Sequence, residues 1–241
     1  MTIRIRSFVS TRHHVIGHTL VISLGGRRRV LSSAPQGGGF KSASHIINHQ
    51  VDTNSNMNGH FPDPARYLRK LASQLNIGDH AVGLMTAVPM TRLVRSRVSA
   101  GELWVECFAT VGVTNAVRAG EWPRHFAHRQ KNALTRVGTI NLILITNGSL
   151  STSAMVGAVQ VATEAKTGVL RDHVIPNRKG KDLATGTGTD AVVIACRLRG
   201  DGPLHTYSGT HTIMGALIGR AVSNCVSRGL TKARKWTETH R

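Results

Sequence analysis

Gly138-Thr139-Ile140-Asn141-Leu142-Ile143-Leu144-Ile145 opens the stretch that decides the fold, and Ala184-Thr185-Gly186-Thr187-Gly188-Thr189-Asp190 closes it. A short unbroken apolar run bounded by glycine and polar residues reads as a strand covered on both faces, so Thr139–Ile145 is the expected central strand. Thr146-Asn147-Gly148-Ser149 reads as a polar turn. Ser151 then caps an Ala-rich helix reaching Gly168, which carries Glu164 and Lys166. A basic loop over Asp172–Asp182, just past Arg171, holds Arg178, Lys179 and Lys181; it reads most simply as solvated, with clamping of an anion as the alternative. Ala191–Leu198 is a second apolar strand. Strand, helix, turn and strand predict an α/β (α+β) fold, a single domain over residues 1–241 with mixed β-sheets flanked by helices.

Working outward, Thr19–Leu24 alternates as a strand does, with Arg29–Ser33 as its expected hairpin partner across Gly25-Gly26. Ala34-Pro35-Gln36-Gly37-Gly38-Gly39 is a loop where backbone can approach a ligand, or a plain flexible turn. His45–Val51 reads as strand, and the intervening Ile46-Ile47 argues against a metal pair of His45 and His49. Asn54–Gly59 reads as a polar loop. Asp63 is the expected N-cap of a helix with Pro64 in its first turn and Tyr67, Leu68, Leu71 and Leu75 along it. Ala81–Val88 reads as a buried strand. Val94–Val98 and Leu103–Val113 read as a hairpin about Ala100-Gly101-Glu102, and Gly112–Gly120 ends in a loop. Glu121–Arg136, with Trp122, His125 and His128, reads as a surface connection. Tyr207–Thr212 leads into a final helix, Ile213–Ser227, before a basic tail; residues 1–18 and 229–241 are candidates for flexible ends.

Thirty-one Lys+Arg face 12 Asp+Glu, a net charge of +19, which favours anionic partners. The cations are spread along the chain, aromatics are 4% of residues, and stacking platforms for bases need aromatics. Nucleic acid is therefore not expected as a partner despite the charge. No apolar run approaches the roughly 18 residues that cross a bilayer, so no membrane association is expected. Met1–Arg12, basic and without acids, is faintly like a transit peptide but reads as an ordinary first strand. Cys107, Cys196 and Cys225 form no C-x-x-C pair, which fits a reducing cytoplasm without a zinc site; no metal is expected. Homo-oligomerisation stays open.

With so few carboxylates, Glu164 and Asp190 stand out, although a surface ion pair and turn capping are their structural alternatives. Lys166, two residues from Glu164, points away from it on a helix. Nucleophilic catalysis needs a hydroxyl, a base and oxyanion donors. Thr139, Asp190 or Glu164, and Asn115 are the candidates, and β-propensity is the alternative for Thr139. His211, at the entrance to the last helix, offers an imidazole base or a cap. Gly209, Gly215 and Gly219 leave a helix face bare for close packing or a flat ligand. Walker, Rossmann, H-E-x-x-H and G-x-S-x-G signatures are absent from the sequence.

A series of blocks in fixed order resembles the adenosylcobinamide amidohydrolases of corrinoid salvage. They are Val30–Gly39, Gly83-Leu-Met-Thr-Ala, Gly112–Gly120, Gly138-Thr-Ile-Asn, Thr163-Glu-Ala-Lys-Thr, Ala184–Ala191 and Gly209-Thr-His-Thr-Ile-Met-Gly, spanning about residues 30–226. Departures are Gln36-Gly37 in place of an Asn near the glycines, Val137 in place of Pro, and the strong positive charge. The resemblance implies hydrolysis of the amide joining a corrin-ring propionate to aminopropanol, giving adenosylcobyric acid. An adenosylated corrinoid is then substrate and partner, with no cofactor. On the matching blocks, Thr139, Asp190, Glu164, Asn115 and His211 are the catalytic candidates. Gly38, Asn141, Lys166, Thr187, Gly188, Thr189 and Gly209 are those for substrate binding. The competing class is a non-catalytic binder of corrinoids or nucleic acid. A fainter similarity links Gly138–Leu150 to the nucleophile strand of self-processing β-aminopeptidases. It implies a four-layer αββα sandwich with Thr139 as nucleophile, Asn115 near the oxyanion and Asp190 assisting.

Overall fold

A computed structural model describes residues 11–51, 63–122 and 138–239. The expected loop at Asn54–Gly59, the departure at Val137 and most of the surface connection with His125 and His128 lie outside them. In chain order the strands are β1 (Arg12–Ile16), β2 (Thr19–Ser32), β3 (Gly39–Gln50), β4 (Ala81–Thr86), β5 (Val94–Ala100) and β6 (Leu103–Val111). They continue with β7 (Ala116–Val117), β8 (Ile140–Leu150), β9 (Gly186–Thr187), β10 (Ala191–Arg197) and β11 (Leu204–His205). The helices are α1 (Pro64–Gln74), α2 (Thr152–Asp172) and α3 (Ile213–Thr239).

Hydrogen bonding runs β4-β3-β2-β10-β8-β6-β5, with β1 beside β2, β11 beside β8, and β7-β9 as a separate pair. Three cores divide this into four layers. Val21, Ile47 and Ala81 hold Leu68 and Ala72 of α1. Leu20, Ile22 and Leu84 from β2 and β4 meet Phe108, Ile143 and Val193 from β6, β8 and β10. The opposite face of β6, β8 and β10, with Cys107, Leu142 and Ile194, buries Ala158 and Ala162 of α2 and Leu217 and Val222 of α3. Alternate residues of one strand thus serve two cores, as the period of two demands. The order is helix, sheet, sheet, helix: an αββα sandwich of mixed sheets.

Gly25-Gly26 do not turn a hairpin. With φ of +69° and +133° they bend one long strand. Thr19–Ser23 pair with His45–His49, the register slips, and Arg28–Ser32 pair with Gly39–Ala43. Beyond the bend Arg29–Ser32 pair antiparallel with β10. The strand therefore passes from one sheet into the other.

Thr146–Ser149 are not a turn either; β8 runs on to Leu150. The Thr146 hydroxyl donates to the Trp104 carbonyl (2.7 Å), while the Asn147 side chain accepts from the Trp104 amide (2.9 Å) and donates to the Glu102 carbonyl (2.7 Å). Polar side chains satisfied across a neighbouring strand cost nothing in turn propensity. Likewise α3 does not end at Ser227. Leu230 is buried and Lys232 donates to the Leu93 carbonyl (3.0 Å), so packing carries the helix through the basic tail. Arg12–Ile16, placed in a loose terminus by composition, pair with Thr19–Ser23 as β1. The expected start of α1 holds: the Asp63 carboxylate caps the Ala65 amide (2.9 Å) with Pro64 in the first turn.

Candidate active site

β8 and β10 are parallel neighbours with Ala191 opposite Asn141. Asp190, one residue earlier, is thereby level with Ile140 at the start of β8. Its Oδ1 accepts from the Ile140 amide (3.0 Å) and from the Thr187 hydroxyl. Its Oδ2 accepts from the Thr187 amide (3.0 Å) and from Lys166 Nζ (2.5 Å). A carboxylate offers about four acceptor positions, and all are filled. Asp190 therefore serves as a clamp on the start of β8. Burying two charges costs several kcal/mol unless hydrogen bonds complete the pair, and here they do, at 8% and 13% side-chain exposure.

Lys166 reaches this point because α2, capped by Ser151 at the end of β8, runs back along the sheet toward the strand's start. Gly186 leaves it room. A Cβ there would lie 2.5 Å from Asp190 Oδ2 and 2.7 Å from Lys166 Nζ. The first glycine of the Gly-Thr-Gly-Thr-Asp turn is thus the opening through which the ammonium meets the carboxylate.

Thr139 sits beside this clamp. Its hydroxyl donates to the Thr189 carbonyl (2.8 Å), and the Thr189 hydroxyl donates back to the Gly138 carbonyl (3.4 Å). A Cβ on Gly138 would lie 2.7 Å from both the Gly112 carbonyl oxygen and Thr114 Oγ1, so the loop leading to Asn115 is pressed against the nucleophile candidate. Asn115 Oδ1 is buried without a hydrogen-bond partner among the described residues. Ala116 pairs with Thr187 across β7-β9. The structure therefore brings together Asn115, Thr139, Lys166, Thr187, Thr189 and Asp190, with Gly188 in the turn.

A cavity of about 210 Å³ opens against Thr139, lined also by Pro35, Met85, Ala87, Asn141 and Thr189. Asn141 donates through Nδ2 to Asn48 Oδ1 (3.0 Å) and the Met85 carbonyl (2.8 Å), and Asn48 donates to Thr110 Oγ1 (3.1 Å). This buried polar chain ties β3 to β6 and β8 across the middle layer. Asn48 and Thr110 were not expected from the sequence; the available signal was one amide inside the Ile46-Ile47 strand. The Ala34–Gly39 loop reaches the cavity through Pro35, anchored where Ser33 and Val192 exchange hydrogen bonds (3.0 Å each). Gly38 is exposed in that loop.

Three candidates lie elsewhere. Glu164 is exposed and accepts from Gln160 (3.0 Å), because two residues from Lys166 is the far side of a helix. It lines a second groove, about 390 Å³, between α2 and α3. His211 is exposed at the start of α3, and Gly209 lies beside it. The preceding Ser208 hydroxyl donates to the Ala154 carbonyl (2.6 Å). Ala154 and Lys166 are separated by roughly 18 Å along α2 at about 1.5 Å per residue. Glu164, His211 and Gly209 are therefore not part of the Thr139 cluster. The 172–182 loop is not simply solvated. Arg178 donates its amide to the Ala116 carbonyl (2.8 Å), and Asp182 pairs with Arg118 (2.8 Å). The amide of Arg118, ahead of Asn177 and Lys179, holds the Glu121 carboxyl below its usual range.

Among the described residues no three His, Cys, Asp or Glu side chains gather as a metal site, and no helix is long and apolar enough to cross a membrane. The family model described as adenosylcobinamide amidohydrolase matches residues 6–238. An adenosylcobinamide amidohydrolase of Methanosarcina mazei is 30% identical over 226 residues, 91% of this chain and 97% of that one. An uncharacterised protein of Methanocaldococcus jannaschii is 31% identical over 231 residues, 90% of this chain and 87% of that one. The solved β-aminopeptidase of a Burkholderia species superposes with a TM-score of 0.44 at 11% identity, covering 92% of this chain and 82% of that one.

Proposed function

The chain belongs to the adenosylcobinamide amidohydrolase family, and from that premise we propose that it cleaves the amide between the corrin-ring propionate and aminopropanol of adenosylcobinamide. The products are adenosylcobyric acid and the free amino alcohol. The corrinoid is substrate, and the reaction uses no cofactor. The observation that carries this reading is Thr139, which lines the cavity while Asp190 and Lys166 fix the strand one residue away.

The Thr139 hydroxyl attacks the scissile carbonyl, and its proton ends on the departing amine as the carbon–nitrogen bond of the tetrahedral oxyanion breaks; water then cleaves the acyl-threonine, giving the carboxylic acid and restoring the hydroxyl. The Asn115 loop, pressed against Gly138, supplies donors for the oxyanion. Asp190, paired with Lys166, holds Thr139 in place through the Ile140 amide. Gly188 and Thr189 border the acyl group, and Asn141 shapes the inner wall.

The test is release of amino alcohol from adenosylcobinamide by purified protein. No product from any adenosylated corrinoid across pH would refute the reading. A second reading, a corrinoid- or nucleic-acid-binding protein without catalysis, draws on the net charge of +19. It requires tight binding of duplex or single strand that falls steeply with salt, with every amide left intact.

A further inference from the structure

Asn141 carries one polar atom that the fold leaves unused. Along β8, Ile143 and Ile145 face the core between the two sheets. Thr139 and Asn141 face the same way by the period of two, and both line the cavity. Asn48 follows Ile46 onto this layer from β3, and Thr110 follows Phe108 onto it from β6. Thr139, Asn141, Asn48 and Thr110 are all buried there.

The Asn141 amide has one setting. Its contact with the Met85 carbonyl (2.8 Å) is a donated bond, since a backbone carbonyl only accepts. Nδ2 therefore lies on that side, and its other hydrogen goes to Asn48 Oδ1 (3.0 Å). Oδ1 remains, buried without a hydrogen-bond partner among the described residues. Buried carbonyl oxygens are normally paired, because one left alone loses its water and gains nothing in return. This exception is two residues from the nucleophile candidate.

An acceptor offers an oxyanion nothing, so Oδ1 belongs to the nitrogen side of the reaction. Same-face neighbours on a strand are roughly 6.6 Å apart. A carbonyl carbon about 3 Å from the attacking hydroxyl, a C–N bond of about 1.3 Å and an N–H···O contact of about 2.9 Å cover a similar reach. A secondary amide laid from Thr139 toward Asn141 thus presents its N–H to Oδ1. The bond strengthens as the nitrogen takes up its proton and departs.

Resting on the proposed amide hydrolysis, we infer that Asn141 Oδ1 accepts the N–H of the scissile amide and holds the leaving nitrogen while the carbon–nitrogen bond breaks. Asn48, which takes one Asn141 hydrogen, is a positioning residue. The site therefore reads a secondary amide. An ester, or an amide methylated on nitrogen, gives Oδ1 no hydrogen.

The experiment uses three derivatives of adenosylcobyric acid: the aminopropanol amide, its N-methyl analogue and the matching propanediol ester. Purified wild type and Asn141→Ala are compared by kcat/KM, with melting recorded. Wild type is expected to cleave the N-methyl amide at least about 100-fold less efficiently than the parent, as a site built around a substrate N–H does. Asn141→Ala is expected to lower the amide-to-ester ratio about 30-fold, the scale of one lost hydrogen bond to a reacting group. General damage to the site lowers both substrates together and leaves that ratio unmoved, so an unchanged ratio overturns the inference. Wild-type cleavage of the N-methyl amide within tenfold of the parent also overturns it, and this comparison decides even if Asn141→Ala fails to fold. Both of those outcomes leave amide hydrolysis standing. A wild type that cleaves no amide removes that reading and the inference together.

Discussion

Two turns rich in glycine and hydroxyls, Ala184–Asp190 and Tyr207–Thr212, look alike in sequence and serve opposite ends of the same sheet. At the first, Gly186 makes space for the Lys166–Asp190 pair, and Thr187 donates to the carboxylate through its amide and its hydroxyl. Just past the second, a glycine inside α3 serves backbone. A Cβ on Gly215 would lie 2.5 Å from the Ser208 carbonyl oxygen, so the start of α3 is laid directly on its own lead-in. The hydroxyls there bind carbonyls: Thr212 donates to Gly209 (2.8 Å) and Ser208 to Ala154 (2.6 Å). Composition marks both turns as sites of close approach. Only the buried charges distinguish chemistry from packing.

That contrast breaks most sharply at the hydroxyl and the imidazole. Thr139→Ala is expected to lower amino-alcohol release at least a thousandfold, on the order seen when a nucleophile is removed, with far-UV circular dichroism unchanged. His211→Ala should leave kcat within about twofold. Equal losses in the two variants would erase the distinction between the two ends.

Next in size is Lys166→Met, which strands the Asp190 carboxylate. Removing one partner of a buried pair costs about 3–5 kcal/mol, or roughly a 10 °C lower Tm for a chain of this length. Adding Asp190→Asn should recover part of that stability, since the two changes share one interaction. A strictly additive double variant would mean the pair is not coupled.

Glycine substitutions separate the ends by readout. Gly186→Ala should lower both Tm and kcat. Gly215→Ala should lower Tm by overpacking worth about 1–3 kcal/mol, with kcat per folded molecule retained.

The smallest effect is that of pH. Burial lowers the pKa of His13, His45 and His49 from about 6.5, helped by Arg95 at His13 and by His18 at His49. A depressed folded pKa means the unfolded chain binds more protons, so stability is full above about pH 6.5 and declines as pH falls below it. Melting scans from pH 7.5 to 5 should show Tm falling toward acid. His49→Gln should flatten the slope, because His49 bonds to Thr19 (2.8 Å) and Tyr67 (2.9 Å) through neutral-capable nitrogens.

Much of this was legible beforehand where local chemistry decides. Asp63-Pro64 and Ser151 announced their helices by capping, and the apolar run from Ile140 announced its strand. Thr139, Asp190, Asn115 and Lys166 were named as candidates, and the fold gathers them. The missed elements are those in which tertiary partners override local preference. Gly25-Gly26 look like a hairpin until two sheets compete for the strand on either side. Thr146–Ser149 look like a turn until Trp104 and Glu102 satisfy them. Glu164 and His211 stood out as isolated chemical groups, but which side of a helix or which end of a sheet they occupy depends on packing between helices. Asn48 and Thr110 matter only as a pair across layers, which no linear spacing encodes.

The bent strand β2 also joins distant parts of the chain. Through it, residues 29–32 pair with residues 193–196, a closure across more than half the chain, and such distant pairings form slowly because loop entropy is spent first. Asp190 lies just ahead of the segment that closes. The carboxylate clamp on the start of β8 is therefore built beside the most distant pairing among the described strands. A chain truncated before residue 190 lacks the partner for the second half of β2, leaving both a sheet edge open and Lys166 without its counter-ion. Completeness of the sheet and competence of the site thus depend on the same short segment of chain.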